Sequence, residues 1–467
     1  MPVDRTLGAL LHDAAIALAC IFCLTLVAMP AAAQTGKFSK VEAAKLAGQV
    51  KREFLHAWTN YETYAWGHDE LRPLSRTAKD WYGQPLLMTP VDALDTLIIM
   101  HLDGEANKAR KLIDTKLSFD RDISVKNFEI TIRLLGGLLS SYEMSNDPRL
   151  LELAHDLGDR LLPVFASPTG LPYVNVNLRT GAVSGTDTNP AETGSLILEF
   201  CTLSRLTGNP VYCAKAKRAL VETFRRRSPI GLVGDGLDAA TGKWTSPDSH
   251  VSGGIDSYLE YQWKCWKLLG DRDCLDMWKA SIAAVNKYDA DERGGELWYG
   301  HVDMNTGRRT ATEWGALDAF FPGLLAFSGD IARARRLQDS SFEMWNVTGV
   351  EPEIYNYATG KIEDPHYELR PEIVESTYYL WRLTGDPKYR RMGAKMFADF
   401  VAACRVPYGY AALDDVVTKQ KADRMESFAF AETFKYFYLL FAPRTALDFD
   451  RVVFNTEAHP LKRLAPQ

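Results

Sequence analysis

The stretch STYYLWRLTGDPKY, Ser376 to Tyr389, contains the repeating unit of this chain. Its first half is a helical run that is aromatic and apolar nearly all round; Gly385 ends the run, and a more polar run begins. A helix that is apolar on every side must be buried, whereas an amphipathic one can face water. The unit is therefore an inner helix, a tight turn and an outer helix.

The same punctuation recurs along the chain: HLDGEA at Gly104, EMSNDPRL at Asn146, LTGNPVY at Gly208, LLGDRD at Gly270, FSGDIA at Gly329, LTGDPKY at Gly385 and, more weakly, FAPRT at Ala442. The spacings are 42, 62, 62, 59, 56 and 57 residues, the repeat of a helical hairpin with its connections. Runs such as SYLEYQWKCWKLL precede the breaks, and polar ones such as PVYCAKAKRALVETFRR follow them. Seven such hairpins predict an all-α, closed (α/α)7 barrel, with an open superhelical solenoid as the alternative.

The chain has 467 residues, 46% of them hydrophobic, and 60 acids against 54 bases for a net charge of -6. It can bury a large core, and no basic stripe points to nucleic acid. Residues 1–33 stand apart. The apolar run AAIALACIFCLTLVAM, Ala14 to Met29, is shorter than the ~20 residues that span a bilayer. Small residues at Ala31 to Ala33 follow it. This reads as a cleaved signal peptide, with an uncleaved anchor as the alternative, followed by one domain over residues 34–467. The expected setting is secreted, periplasmic or in a secretory lumen, with no stable membrane insertion after cleavage and a monomeric state. Five cysteines remain, without CxxC or Cys/His zinc spacing. Cys201/Cys213 and Cys265/Cys274 each bracket a turn, which allows two local disulfides and leaves Cys404 free; five reduced thiols are the alternative.

Acids open every inner run: Asp92 and Asp95, Glu129, Glu192, Asp256, Asp318, Glu372 and Glu375, and Glu432. They stand 9 to 17 residues before the next turn, so all lie toward one end of the ring. Capping explains any one of them, since an acid near a helix N-terminus gains ~0.3–1 kcal/mol from the macrodipole. Seven helices opening this way around one hole would crowd like charges in a poorly solvated place. Arg133 and Arg370 offset part of that charge, and the remainder suggests a metal or a polyol ligand. Paired carboxylates are what glycoside hydrolysis requires.

At these motifs the chain resembles glycoside hydrolase family 47, the class I α-1,2-mannosidases. The resemblance is carried in order by HAWTNYETYAWGHDELRP, VDALDTL, FEITIRLLGGLL, AETGSLILEF, GIDSYLEY, LRPEIVESTYYLWRLTGD, MESFAFAETFKYFYLLF and FNTEAHPL, from about Glu53 to Leu461. It implies an (α/α)7 barrel plugged by the C-terminal segment, and an inverting, exo-acting enzyme that removes terminal α-1,2-linked mannose from high-mannose oligosaccharides using one Ca²⁺. By motif, Glu372 would be the general base, Glu129 the general acid, and Asp256 a third carboxylate competing for one of those roles. Inversion would place acid and base ~6.5–9.5 Å apart to admit a water.

The same resemblance implies that Arg133, Glu192, Glu353, Arg370, Glu375, Phe428, Glu432 and Glu457 serve the sugar pocket, with Phe428 under the apolar face of the mannose. Thr456 would bind the metal through its hydroxyl and carbonyl. One residue supplies at most two of the 6–8 oxygens that calcium takes, so water and sugar hydroxyls would complete the shell. Ala316 and Ala319 stand where relatives commonly carry His and Cys, a departure that bears on the pocket and on linkage preference. A catalytically silent, glycan-binding barrel and a mannosidase of another linkage are the alternatives. Read by itself, FNTEAHPL looks like a frayed tail; the resemblance makes it an ordered, buried plug.

Overall fold

The computed structural model describes residues 38–464, so the expected leader at residues 1–33 lies outside the described residues. The chain is mostly helical, and each inner run forms as the turn pattern predicts. The inner helices are Met88–Ile99, 127–145, 190–207, Asp256–Leu269, 317–328, Glu372–Thr384 and 429–441. Each packs on the next, and the last packs on the first. Phe434–Phe441 is buried at every residue, as an all-round apolar run demands.

Outer helices Asp103–Lys116, Pro148–Leu161, Val211–Arg225, Arg272–Tyr288, Ile331–Thr348 and Pro387–Cys404 each pack on the inner helix before them. Two expectations change in detail. The first break falls at His101, which takes a left-handed φ of 53°, while Gly104 lies inside the following helix. The break at Ala442 leads to no outer helix. Its place is taken by the N-terminal helix Lys40–Tyr64, which packs on Phe434–Phe441.

Gly385 shows how a turn is built. With φ 69° it takes the left-handed position that ends the inner helix, Asp386 accepts the Lys388 backbone N–H at 2.9 Å, and Pro387 opens the outer helix. Disulfides Cys201–Cys213 and Cys265–Cys274 each tie an inner helix to its outer partner, and Cys404 is free and buried, as the spacing allowed.

The tail is ordered. Val452–Phe454 pairs antiparallel with Pro460–Lys462, and Asn455 to His459 form the turn between them. From Phe454 to Leu461 only Thr456 is not fully buried. The turn sits against Gly136 and Gly137 of the second inner helix. A Cβ on Gly136 would lie 2.6 Å from Asn455 Nδ2, and one on Gly137 would lie 2.9 Å from the Val91 carbonyl, so this pair of glycines is a docking surface for the plug.

Candidate active site

Opposite the turns, the beginnings of the inner helices enclose a cavity of about 260 Å³. Its wall carries Glu129, Arg133, Glu192, Asp256, Arg370, Glu372, Phe428 and Glu432, with Thr456 and Glu457 contributed by the tail. Two of the inner helices loosen into π turns here, Thr131–Leu135 carrying Arg133 and Ala429–Thr433 carrying Glu432. Such bulges re-aim side chains and are frequent at functional sites.

Asp256 and Glu372 are the first residues of their helices, where the macrodipole favours a carboxylate. Burial wins nonetheless. Desolvation pushes Asp256 to about 7, with Glu260 and Asp318 adding repulsion against a backbone N–H from Ser257. It pushes Glu372 to about 7 as well, where the pull of Arg370 is opposed by Glu353 and Asp256. The rise of Asp256 from 3.8 to about 7 corresponds to about 4 kcal/mol before cavity water screens it, several times the dipole contribution. Glu372 Oε2 is buried without a hydrogen-bond partner.

Glu129 is better supported: its Oε2 accepts from Arg133 Nε at 3.1 Å and Nη2 at 3.0 Å. Arg133 also reaches Glu457 Oε2 at 2.6 Å and Asp92 Oδ2 at 3.9 Å, so one guanidinium joins the cavity wall to the tail. Arg370 is held in a fork by Glu353, at 2.9 and 3.0 Å. Both guanidiniums approach the Phe428 ring, at 5.6 Å and 5.7 Å from its centroid, and fix that ring in the wall. Glu192 is paired with Lys126 at 2.6 Å and accepts from Thr188 at 3.1 Å.

Not every expected pocket residue faces the cavity. Glu353 stands behind Arg370. Glu375 accepts from the Tyr436 hydroxyl at 3.1 Å and lies 3.9 Å from Lys264, in the supporting layer. Asp92 and Asp95 point below, to His459: its Nδ1 meets Asp95 Oδ2 at 2.7 Å and its Nε2 meets Asp92 Oδ1 at 3.1 Å. Lys435 joins the same group, 2.8 Å from Asp95 Oδ1 and donating to the Ala458 carbonyl at 2.6 Å. Asn455 spans Glu199 and the Ile132 carbonyl, both at 2.8 Å, and Tyr261 accepts the Thr456 backbone N–H at 3.2 Å. Lys126, Asn189 and the layer of Lys264, Lys435, Tyr261, Asn455 and His459 escaped sequence reasoning. The lone lysines in QWKCW and TFKYF, set in otherwise apolar inner runs, were the available signal.

The donor set fits a hard cation. Among the described residues, the wall holds Glu129, Glu192, Asp256, Glu372, Glu432 and Glu457 against the cationic side chains Lys126, Arg133 and Arg370. Glu432 is held well above the usual carboxylate range by burial and by Glu457, Glu372 and Glu375. An excess of acids, an unpaired oxygen on Glu372 and a partly exposed threonine in the same cavity are hard oxygen donors of the kind that suit Ca²⁺. A second group lies away from this floor: Asp248, His250 and His301 come from distant segments to within 4.8 Å of one another, which no sequence spacing revealed.

The family model for glycosyl hydrolase family 47 matches residues 53–463. Alpha-mannosidase I MNS5 of Arabidopsis thaliana is 38% identical over 453 residues, 91% of this chain and 78% of that one. ER degradation-enhancing alpha-mannosidase-like protein 2 of Mus musculus is 36% identical, over 88% of this chain and 77% of its own. The solved alpha-1,2-mannosidase from Trichoderma reesei superposes with a TM-score of 0.83 at 28% identity, covering 90% of this chain and 99% of that one. The chain belongs to glycosyl hydrolase family 47 and is a glycoside hydrolase.

Proposed function

We propose that this enzyme removes terminal α-1,2-linked mannose from oligosaccharides with inversion, within a closed (α/α)7 barrel plugged by its tail and assisted by one Ca²⁺ at Thr456. The observation that carries the reading is that Glu129, Asp256 and Glu372 line one sugar-sized cavity, where burial raises Asp256 and Glu372 to about 7. A hydrolase of this class needs one carboxyl protonated and another ionised at working pH, and groups poised near 7 serve either role.

In the proposed cycle, Glu372 takes a proton from water as its oxygen bonds to the anomeric carbon. Glu129 or Asp256 gives a proton to the glycosidic oxygen as the bond to the leaving sugar breaks. Both groups then exchange protons with solvent. Arg133 and Arg370 hold the carboxylates in place, and Phe428 offers its ring to the apolar face of the mannose. Thr456, with Glu457 and Glu432 behind it, would hold the calcium, which supplies Lewis-acid polarisation and orientation of hydroxyl oxygens when bound. The presence of Glu129, Asp256, Glu372 and Thr456 together favours turnover over a silent glycan-binding barrel.

The two disulfides support work in an oxidising compartment, secreted, periplasmic or luminal. No helix among the described residues is long and apolar enough to cross a membrane. The test is to mix the protein with α-1,2-mannobiose and follow the product by NMR. β-Mannose first, with activity lost to EDTA and restored by Ca²⁺, is expected; α-mannose first, or activity indifferent to EDTA, contradicts the mechanism.

A further inference from the structure

Asp256 opens its inner helix at the end of a loop whose two glycines give the backbone little stiffness of its own. Gly254 takes a left-handed φ of 94°, and a Cβ on Gly253 would lie 2.8 Å from Leu317 Cδ1. The fastening comes from Ser252, whose three polar groups are all engaged. Its carbonyl accepts the Ile255 N–H at 3.1 Å and the Asp256 N–H at 2.9 Å. Its own N–H donates to His250 Nδ1 at 3.1 Å, and its hydroxyl donates to the Asp318 carboxyl. We infer that His250 and Asp318, acting through Ser252, are positioning residues that aim Asp256 as the proton donor to the glycosidic oxygen. The inference rests on the mannosidase reading above.

Both supports are buried and are themselves held. His250 is 4% exposed and Asp318 is 3% exposed, and with Ser252 they stand behind the loop, in the wall of a neighbouring recess. Because His250 Nδ1 accepts, the neutral ring carries its proton on Nε2, which faces Asp235 Oδ2 at 3.5 Å. The His301 ring lies against it with 4.3 Å between centroids, and His301 Nδ1 meets Asp248 Oδ2 at 2.6 Å. Asp318 Oδ2 accepts the Gly315 N–H at 2.9 Å. Burial raises Asp318, while His301, His250, the Ser252 hydroxyl and the Gly315 N–H all favour its ionised form.

An ionised Asp318 beside the loop also acts on the proton that Asp256 carries. Desolvation, Glu260 and Asp318 disfavour the Asp256 carboxylate, and the Ser257 N–H and Arg370 favour it. Glu372 is a further acid within electrostatic reach. Of these acids Asp318 is the one that also bonds to Ser252, so a single side chain fixes where the donor stands and helps keep its proton in place. The proton passes to the glycosidic oxygen as the bond to the leaving sugar breaks, and Asp256 is left as a carboxylate.

The test follows kcat and KM on α-1,2-mannobiose across pH for the wild type, Asp318→Asn, His250→Ala and His250→Asn. Asp318→Asn keeps the shape of the side chain and removes its charge, so Asp256 gives up its proton more readily. The alkaline limb of kcat/KM should move to lower pH by about half a unit or more, roughly a threefold loss on that limb, while the acid limb stays in place. His250→Ala removes the acceptor for the Ser252 N–H and should lower kcat about tenfold or more with KM little changed. His250→Asn should restore most of that loss, because an asparagine oxygen accepts the N–H two residues on, as in an Asx turn. An alkaline limb that does not move in Asp318→Asn overturns the inference, as does a folded His250→Asn no more active than a folded His250→Ala. Either comparison decides the matter where a variant in the other fails to fold. If no α-1,2-mannoside is cleaved, the parent reading falls and takes this one with it; cleavage with an unmoved limb sinks this one alone.

Discussion

Asp95, in the second half of the inner helix Met88–Ile99, and Glu372, the first residue of the inner helix Glu372–Thr384, are driven in opposite directions by their surroundings. Asp95 is pulled down to about 2, because Lys435 and His459 outweigh the cost of its burial. Its second oxygen also accepts from Ser140 at 2.8 Å. Glu372 is pushed up to about 7 with one oxygen unpaired, and Asp256 in the same cavity matches it. Buried charges with every partner in place hold a structure together, whereas buried charges left short of partners mark where a ligand belongs. The tail clamp is the first kind, and the cavity is the second.

The comparison breaks first at Glu372. Glu372→Gln should lower kcat by about 10²–10⁴-fold, the contribution of a positioned general base, while leaving the melting temperature unchanged or higher at pH 8. Wild-type turnover by this variant would place the base elsewhere. Asp95→Asn should do the reverse to stability: it strands buried Lys435 and His459, and urea unfolding should show a loss of about 3–5 kcal/mol. A loss under 1 kcal/mol would mean that the clamp is not the satisfied network described.

The two regions also differ in pH dependence. His459 is raised from 6.5 to about 9 by Asp95 and Asp92 despite its burial. Its share of stability, about 3 kcal/mol, is whole below pH 6.5 and is lost as pH rises through 9. The share of Asp95 is whole above pH 3.8 and is lost as pH falls through 2. Asp256 and Glu372 bind more protons in the folded state than in the unfolded one between pH 4 and 7, so they cost stability as pH rises across that range. Melting curves with EDTA should fall from pH 5 to 7, and Ca²⁺ should flatten that fall. A calcium-independent pH profile would contradict the pairing of these acids with a cation.

Much of this was readable from residues alone, and the rest for physical reasons was not. The hairpin period is legible because apolar runs and left-handed turn residues are local features, as at Gly208, Gly270, Gly329 and Gly385. The ring of acids is legible as a group but not as two classes, because what sorts Asp95 from Glu372 is a histidine arriving from position 459 and a lysine from the seventh inner helix. Two strands of three residues each are too short to show a period, so the tail hairpin was invisible in local pattern. The outer partner of the last inner helix is missed for a similar reason, since Lys40–Tyr64 meets Phe434–Phe441 only through chain closure. The cavity residues Glu129, Asp256 and Glu372 emerged from a resemblance over many ordered motifs, and all three line the same cavity.

The central claim is that short-partnered carboxylates surround a cation held by the tail at Thr456. Calorimetric titration of Ca²⁺ into the EDTA-treated protein at pH 7, repeated in buffers of different ionisation enthalpy, tests it most directly. One ion per chain should bind and release protons as the raised carboxyl groups ionise, and both signals should collapse in Thr456→Ala. Absence of binding, or binding of equal strength in Thr456→Ala, would contradict the account.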